Sequence, residues 1–240
     1  MRIARLLTPR GPVSGQYDAG TVVTDNGSYE VGRDGDLLPP TDPGTIYCVG
    51  RNYADTLSQM DYERPDEPTF FIKPRSALVA HNAPIRYPSF TEELTYAGEL
   101  AAVIDTRCRN LTPDTASRHV RGYTILNDVD ALDQANLPAR KAFDGSAPLG
   151  PWLETDLDPT DLHMHTDING ERRQEGHTGD MLFDVYEILA YLSKRFTFEP
   201  GDVVAFGSPP NPGLIEAGDE VAITYDEIGT LRNTITSTEA

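Results

Sequence analysis

The sequence predicts an α+β fold in which strands dominate, a β-rich main domain preceded by a small N-terminal β appendage. Three observations carry that expectation. Apolar runs without helical period recur along the chain, only two segments carry clear helix signals, and a proline-rich stretch separates an early set of short strands from the remainder. Residues 1–7, 21–24 and 29–31 read as short strands, with the Asn26-Gly27 pair as a turn between the last two. Pro39, Pro40 and Pro43 then fix φ and remove backbone donors over 38–44, which makes this stretch a stiff linker. A boundary near Asp42 gives an N-terminal β unit with its linker over 1–42 and a main domain over 43–240. Buried-strand candidates follow at 45–49, 69–72 and 99–104. Thr112 as N-cap, Pro113 at the first helical position and Gly122 beyond the end predict a short helix over 114–121. From Asp180 onward, Leu182, Val185, Tyr186, Leu189 and Leu192 fall at i, i+3, i+4, i+7 and i+10, the stripe of an amphipathic helix of about four turns. Strands and hairpin turns return over 162–168, at Asn169-Gly170, and over 203–235.

Charge narrows the function classes. Across 240 residues there are 20 Lys+Arg against 38 Asp+Glu, a formal net charge of −18. Such a surface repels phosphate backbones and anionic lipid headgroups, and no basic cluster overrides it locally, so neither nucleic acid nor membrane is an expected partner. The cations are 3 Lys and 17 Arg and the acids 23 Asp and 15 Glu, a balance that points to a salty cytosol and a fold that loosens in dilute buffer. Only Cys48 and Cys108 occur, without a CxxC pair. No stretch approaches the ~20 apolar residues of a membrane helix, and the first ten residues lack the ~7–15-residue apolar core of a secretory signal. A reducing, cytoplasmic setting is expected.

With three lysines in the chain, Lys73 at the end of Phe70-Phe71-Ile72 and Lys141 before Ala142-Phe143 stand out, although either can simply pair with one of the many acids. Glu99 opens an apolar strand and Asp128 closes another. Carboxylates at the ends of buried strands can converge on a hard cation such as Mg²⁺, or can be solvated strand-end acids. His163 and His165 share one face of a strand, a metal-binding spacing, but Met164, Thr166 and Ile168 face the other way and no third ligand is near. The outward face of a hairpin is the better reading.

These segments converge on a family. Residues 46–55 (Ile-Tyr-Cys-Val-Gly-Arg-Asn-Tyr-Ala-Asp), Phe71-Ile72-Lys73-Pro74, Gly98-Glu99-Leu100, Asn127-Asp128-Val129, Lys141-Ala142-Phe143, Thr178-Gly179-Asp180-Met181, Glu199-Pro200-Gly201-Asp202 and Gly229-Thr230-Leu231-Arg232-Asn233 resemble, in that order, the catalytic domain of the fumarylacetoacetate hydrolase family. The resemblance spans about 45–235. It implies a mixed β-sandwich roll with few helices, a homodimer, and a Mg²⁺ or Mn²⁺ site at the open end. It also implies a small 2-oxo acid or β-diketone as substrate, handled through an enolate, with hydrolysis, decarboxylation or isomerisation as outcomes.

By the same resemblance Glu99 and Asp128 are metal ligands, Lys141 is catalytic, and Arg51, Lys73 and Ser208 bind substrate. His177, the only histidine in a motif near the expected pocket, is a candidate base. The sequence also departs from the family's pattern. Ala97 stands where a first glutamate ligand is expected, Thr56 and Gln59 where a His and Glu activate water, and Leu132 where an arginine is usual. Two readings follow: a metal-dependent enzyme whose chemistry is shifted away from water activation, and a catalytically silent homologue that binds a metabolite or partner.

Overall fold

The computed structural model describes residues 1–61, 63–210 and 212–237. Its framework is a 12-stranded mixed sheet. From one edge to the other its order is Gly27–Glu30, Thr21–Thr24, Gly11–Asp18, Arg2–Thr8, Ala147–Glu154, Val120–Asn127, Gly98–Ile104, Val203–Ala205, Ile46–Gly50 and Thr69–Lys73, with Asp36–Leu38 and Leu78–Val79 pairing off this path. Most neighbours are antiparallel; Val203–Ala205 runs parallel to Ile46–Gly50. A second, five-stranded sheet runs Glu171–His177, His163–Ile168, Glu220–Tyr225, Gly229–Thr236 and Ile85–Arg86.

Alternation along Gly98–Ile104 explains how the layers assemble. Leu100, Ala102 and Ile104 enter the main core, where they join Met164, Ile223 and Leu231 from the second sheet and Ile188, Leu189 and Leu192 from a helix. Ala101 and Val103 point the other way, into a second cluster with Cys48, Leu126, Ala147 and Ala205. The strand is buried on both faces, which is why it reads as a continuous apolar run. Gly98 packs directly against side chains of the second sheet. A Cβ there would lie 2.7 Å from Met164 Cε and 2.8 Å from Ile223 Cγ2, so only glycine fits without displacement.

Four α-helices occur among the described residues: α1 (Ala54–Met60), α2 (Pro113–Ala116), α3 (Leu137–Lys141) and α4 (Val185–Ser193). The helices α1 and α3 are not expected from sequence, and the two that are expected have other bounds. The helix expected over 114–121 is the single turn α2 followed by the 3-10 turn Ser117–His119, because Val120 is already paired with Ile104 in the large sheet. The helix expected from Asp180 starts at Val185, because Asp184 caps it. Its carboxylate accepts from the Tyr186 and Glu187 amides, and Glu187 returns a bond to the Asp184 amide.

The N-terminal strands have their own small core of Ala4, Leu6, Val22 and Leu37. They are not a separate sheet: Arg2 and Ile3 pair with Glu154 and Leu153. Trp152 fastens the junction, stacked on Tyr17 at 4.3 Å and donating from Nε1 to the Ile228 carbonyl at 2.7 Å. The hairpin face with His163 and His165 is outward as expected, with Met164, Thr166 and Ile168 buried behind it.

Candidate active site

Four of the residues singled out from sequence meet at one place. Glu99 lies second in Gly98–Ile104, on the face of Ala101 and Val103, opposite Leu126 of the neighbouring strand. Asp128 follows the end of that neighbour, its amide donating to the Ala97 carbonyl at 2.9 Å. Lys73 ends the edge strand Thr69–Lys73, and Lys141 is the last residue of α3, which Asn136 caps by accepting from the Ala139 amide. The pairing of these strands brings both carboxylates and both ammonium groups into the interior.

Asp128 is the hub. Its Oδ1 is 2.8 Å from Lys73 Nζ and its Oδ2 is bonded to Lys141 Nζ. The Lys73 contact is a close ion pair without hydrogen-bond alignment at Oδ1. Burial alone would raise the Asp128 carboxyl, but Lys141 and Lys73 overcome it and hold the group below its ordinary value. Lys141 is pulled in opposite directions too: burial favours its neutral form, while Asp128 and Asp130 outweigh burial and raise it, so it stays an ammonium. Glu99 has no such cation in direct contact. Burial first, then the neighbouring charge of Asp128, push its carboxyl from 4.5 up to about 8, and one oxygen, Oε2, accepts from the Gly207 amide at 3.0 Å. Gly207 reaches that position with φ 89°, a region closed to most side chains.

Lys73 is placed differently from its expected substrate-binding part. Its side chain is 0% exposed, and its ammonium group contacts the Val129 carbonyl at 3.0 Å, the Lys141 carbonyl at 2.7 Å and Asp128. With hydrogen bonds to two carbonyls and an ion pair to Asp128, it holds Asp128 and the end of α3 from behind.

Asp128 and Lys141 open into a cavity of about 410 Å³, also lined by Arg51, Phe70, Phe71, Asp130, Leu137 and Arg140. Arg51 is exposed and held at φ 60°. Its neighbour Asn52 anchors the turn, with its side chain bonded to both backbone groups of Phe183 and to the Phe206 carbonyl.

Two expected residues lie elsewhere. His177 ends Glu171–His177 in the second sheet, where Nε2 is 3.1 Å from Asp161, Nδ1 accepts from the Gly179 amide, and the ring meets His163 edge-on at 4.5 Å. It does not line the cavity, because the second sheet holds it against Asp161. Ser208 follows Gly207, but its hydroxyl accepts from Gln174 at 2.7 Å, and its carbonyl accepts from Thr56 Oγ1 at 3.0 Å.

Sequence reading missed Asp130, Arg140 and Gln174. Asp130 takes Arg140 through Nε and Nη2 at 2.9 and 2.6 Å and Lys141 at 3.0 Å. Its position two residues after Asp128 was the available signal. Gln174 is buried, and its amide joins Gly98, Thr166, Ser208 and Pro209 across the two sheets; nothing local marks it.

The donor chemistry suits a hard divalent cation. Two buried carboxylates lie near enough for the charge of Asp128, after burial, to raise the Glu99 carboxyl, and one or two carboxylates plus waters is a normal Mg²⁺ or Mn²⁺ set. A third anionic ligand is missing: Ala97 has none, Glu92 and Glu93 are exposed, and no group of three metal-ligating side chains forms among the described residues. Cys48 lies near these charges, but burial, then Asp128 and Glu99, push its thiol well above the ordinary value, so it is no nucleophile.

A sequence model of the fumarylacetoacetate (FAA) hydrolase C-terminal family matches residues 45–236. The chain belongs to the fumarylacetoacetate hydrolase family. Among solved structures it is similar to the 5-carboxymethyl-2-hydroxymuconate delta-isomerase of Mycobacterium smegmatis, with a TM-score of 0.91, 34% identity and 100% of each chain covered. It also resembles the fumarylpyruvate hydrolase of Pseudomonas aeruginosa, solved with Mn²⁺ and pyruvate, with a TM-score of 0.78, 30% identity, and 86% of this chain and 94% of that chain covered. A bifunctional isomerase/decarboxylase of homoprotocatechuate catabolism from Escherichia coli is 37% identical over 209 residues, 83% of this chain and 48% of the relative. The family's relatives therefore include isomerase/decarboxylases and hydrolases, one of them seen with a divalent metal. The mixed, strand-rich fold agrees with that expected from sequence. Among the described residues no helix is long and apolar enough to cross a membrane.

Proposed function

We propose that this family member is a divalent-metal-dependent enzyme acting on a small 2-oxo acid or β-diketone, breaking a carbon–carbon or carbon–hydrogen bond through an enolate. The observation that carries the reading is the buried carboxylate Asp128 at the floor of a cavity lined by Arg51, Arg140 and Lys141, with Glu99 buried behind it and its carboxyl raised to about 8 by burial and by the charge of Asp128. In a chain of net charge −18, that concentration of cations is where an anionic substrate is favoured.

Glu99 and Asp128 would hold the cation. Mg²⁺ or Mn²⁺, when bound, supplies Lewis-acid polarisation of the substrate carbonyl. Lys141, kept protonated by Asp128 and Asp130, donates to the substrate oxygen on which negative charge develops, and its fixed orientation costs no reorganisation at that moment. Arg51 at the mouth binds the substrate carboxylate. Lys73 keeps Asp128 in place. The Phe70 and Phe71 wall excludes water from the reacting carbon. Thr56 and Gln59 are not bases near neutral pH, and Thr56 already donates to Ser208. Decarboxylation of oxaloacetate is accordingly the simplest outcome, since it requires no protein base. A homodimer belongs to the same reading, supported by exposed apolar side chains such as Ile72 on the edge strand.

The test is turnover of a panel of 2-oxo acids and acylpyruvates by purified protein with Mg²⁺ or Mn²⁺ in molar salt. Turnover lost in Lys141→Met supports the reading. A panel left wholly unchanged by the wild type removes it in favour of a silent homologue.

A further inference from the structure

The cavity changes character from floor to rim. At its floor Asp128 and Asp130 are buried, its wall is Phe70, Phe71 and Leu137, and at its rim stands Arg140 with a side chain 30% exposed. Arg140 is not a loose surface cation. Asp130 grips its Nε and Nη2, and the oxygen that takes Nη2, Oδ2, also takes Lys141 Nζ at 3.0 Å. Charges therefore alternate from interior to rim as Lys73, Asp128, Lys141, Asp130 and Arg140.

A free surface arginine must surrender rotamer entropy to hold an anion, whereas a guanidinium already fixed by a fork-to-fork carboxylate contact has surrendered most of it on folding. Arg140 is thus a planar donor array set in advance at the wall of the site. The wall below it is aromatic, with Lys141 Nζ 5.2 Å from the Phe71 ring centre. A ligand matched to this sequence of surfaces has an oxo acid at the floor, a short apolar chain along the wall and a second anion at the rim.

We propose that Arg140, aimed by Asp130, is the specificity-determining residue by which this site selects 2-oxo acids carrying a second carboxylate at the far end of a short carbon chain. The inference rests on the function proposed above and assigns a residue that the sequence did not mark. A distal methyl in place of that carboxylate offers the guanidinium nothing in exchange for the water it displaces, so discrimination follows from the missing partner as much as from attraction.

The experiment compares two ligands that differ only at the far end, 2-oxoadipate and 2-oxohexanoate, with oxalate as a short reference that reaches the floor alone. Kd values are measured by calorimetry with Mn²⁺ in molar salt. The wild type is expected to bind 2-oxoadipate about tenfold tighter than 2-oxohexanoate, the ratio of one good charged contact. Arg140→Gln should bring the ratio near one, because the general loss of attraction for anions that it causes is common to both longer acids and cancels in the ratio. Arg75→Gln, which removes a cation paired with Asp42 outside the cavity, should leave the ratio unchanged. If Arg140→Gln does not fold, Arg140→Lys decides the matter, with an expected fall to about threefold because the fork is lost. A wild type that binds oxalate but does not distinguish the longer acids, or a ratio that survives the loss of Arg140, overturns the inference and leaves the function standing. A wild type that binds none of the three overturns both.

Discussion

A buried ammonium group needs its counterion, and for Lys73 that is Asp128. Removing one partner of a buried pair costs about 3–5 kcal/mol, because the other charge is left without compensation. Asp128→Asn is therefore expected to lower stability by about that amount in urea titrations, although it also removes one of two negative charges from a crowded centre. Glu99 behaves in the opposite sense. Burial and then Asp128 raise its carboxyl from 4.5 to about 8, so the folded protein holds this proton where the unfolded chain has released it. Fewer protons on the unfolded state means that stability falls as pH rises, here across the window from about 4.5 to 8, and levels off above it. Urea midpoints of metal-free protein between pH 5 and 9 should show that decline. Glu99→Gln should flatten it, and a wild-type curve that rises across the window contradicts the assignment. Lys73, Lys141, Glu99 and Asp128 stand out in the sequence because lysine is rare in this chain and acids at the ends of apolar strands are conspicuous, but only the family resemblance gathers them into one site. Asp130 and Arg140 do not, being one of 23 Asp and one of 17 Arg whose pairing exists only once α3 folds back along the strand end.

Elements were legible where one local force dominated. The strand Thr21–Thr24 coincides with its expectation, and the strands around Cys48, Phe71 and Val103 lie within a residue or two of theirs, because each is an apolar run bounded by turn residues. Ala147–Glu154 is not among the strands expected from sequence, because Pro148, Gly150 and Pro151 weaken the strand signal. It is a strand because it is paired on both sides, by Arg2–Thr8 and by Val120–Asn127. The helix α1 has no side-chain N-cap to announce it. In α4 the apolar stripe reaches back to Leu182 but the helix does not: Leu182 precedes Asp184, and an aspartate that accepts from the amides of the first turn ends the chain's freedom to extend the helix backward. Asp184→Ala should cost about 1 kcal/mol, within the range for loss of an N-cap, and Asp184→Ser much less. Chemical denaturation of the two variants side by side separates the capping bond from the charge, and equal losses would show that charge alone matters.

Across the whole molecule the acids outnumber the cations by 18, so even complete pairing would leave that many carboxylates facing one another. Several of the ion pairs formed among the described residues are local and exposed, such as Arg33 with Asp34 and Glu30, and pairs of that kind contribute at most about 1 kcal/mol each. The folded chain concentrates the surplus on a smaller surface than the unfolded chain does, and the repulsion between them opposes folding. Salt reduces it: the screening length is about 10 Å at 0.1 M and about 3 Å at 1 M, shorter than typical spacings between surface carboxylates. The melting temperature should therefore rise by about 5 °C or more between 0.1 and 2 M KCl. Screening and general exclusion of solute both stabilise, so sucrose of matched osmolality supplies the control, and the effect of salt should exceed it. The cationic cavity responds with the opposite sign. Its attraction for a 2-oxo acid anion is screened by the same ions, so ligand affinity should weaken as stability grows, and the best working concentration lies where the fold is secure and the site is not yet screened. A melting temperature that does not move between dilute and molar salt would remove the argument that this surface is built for a saline solvent.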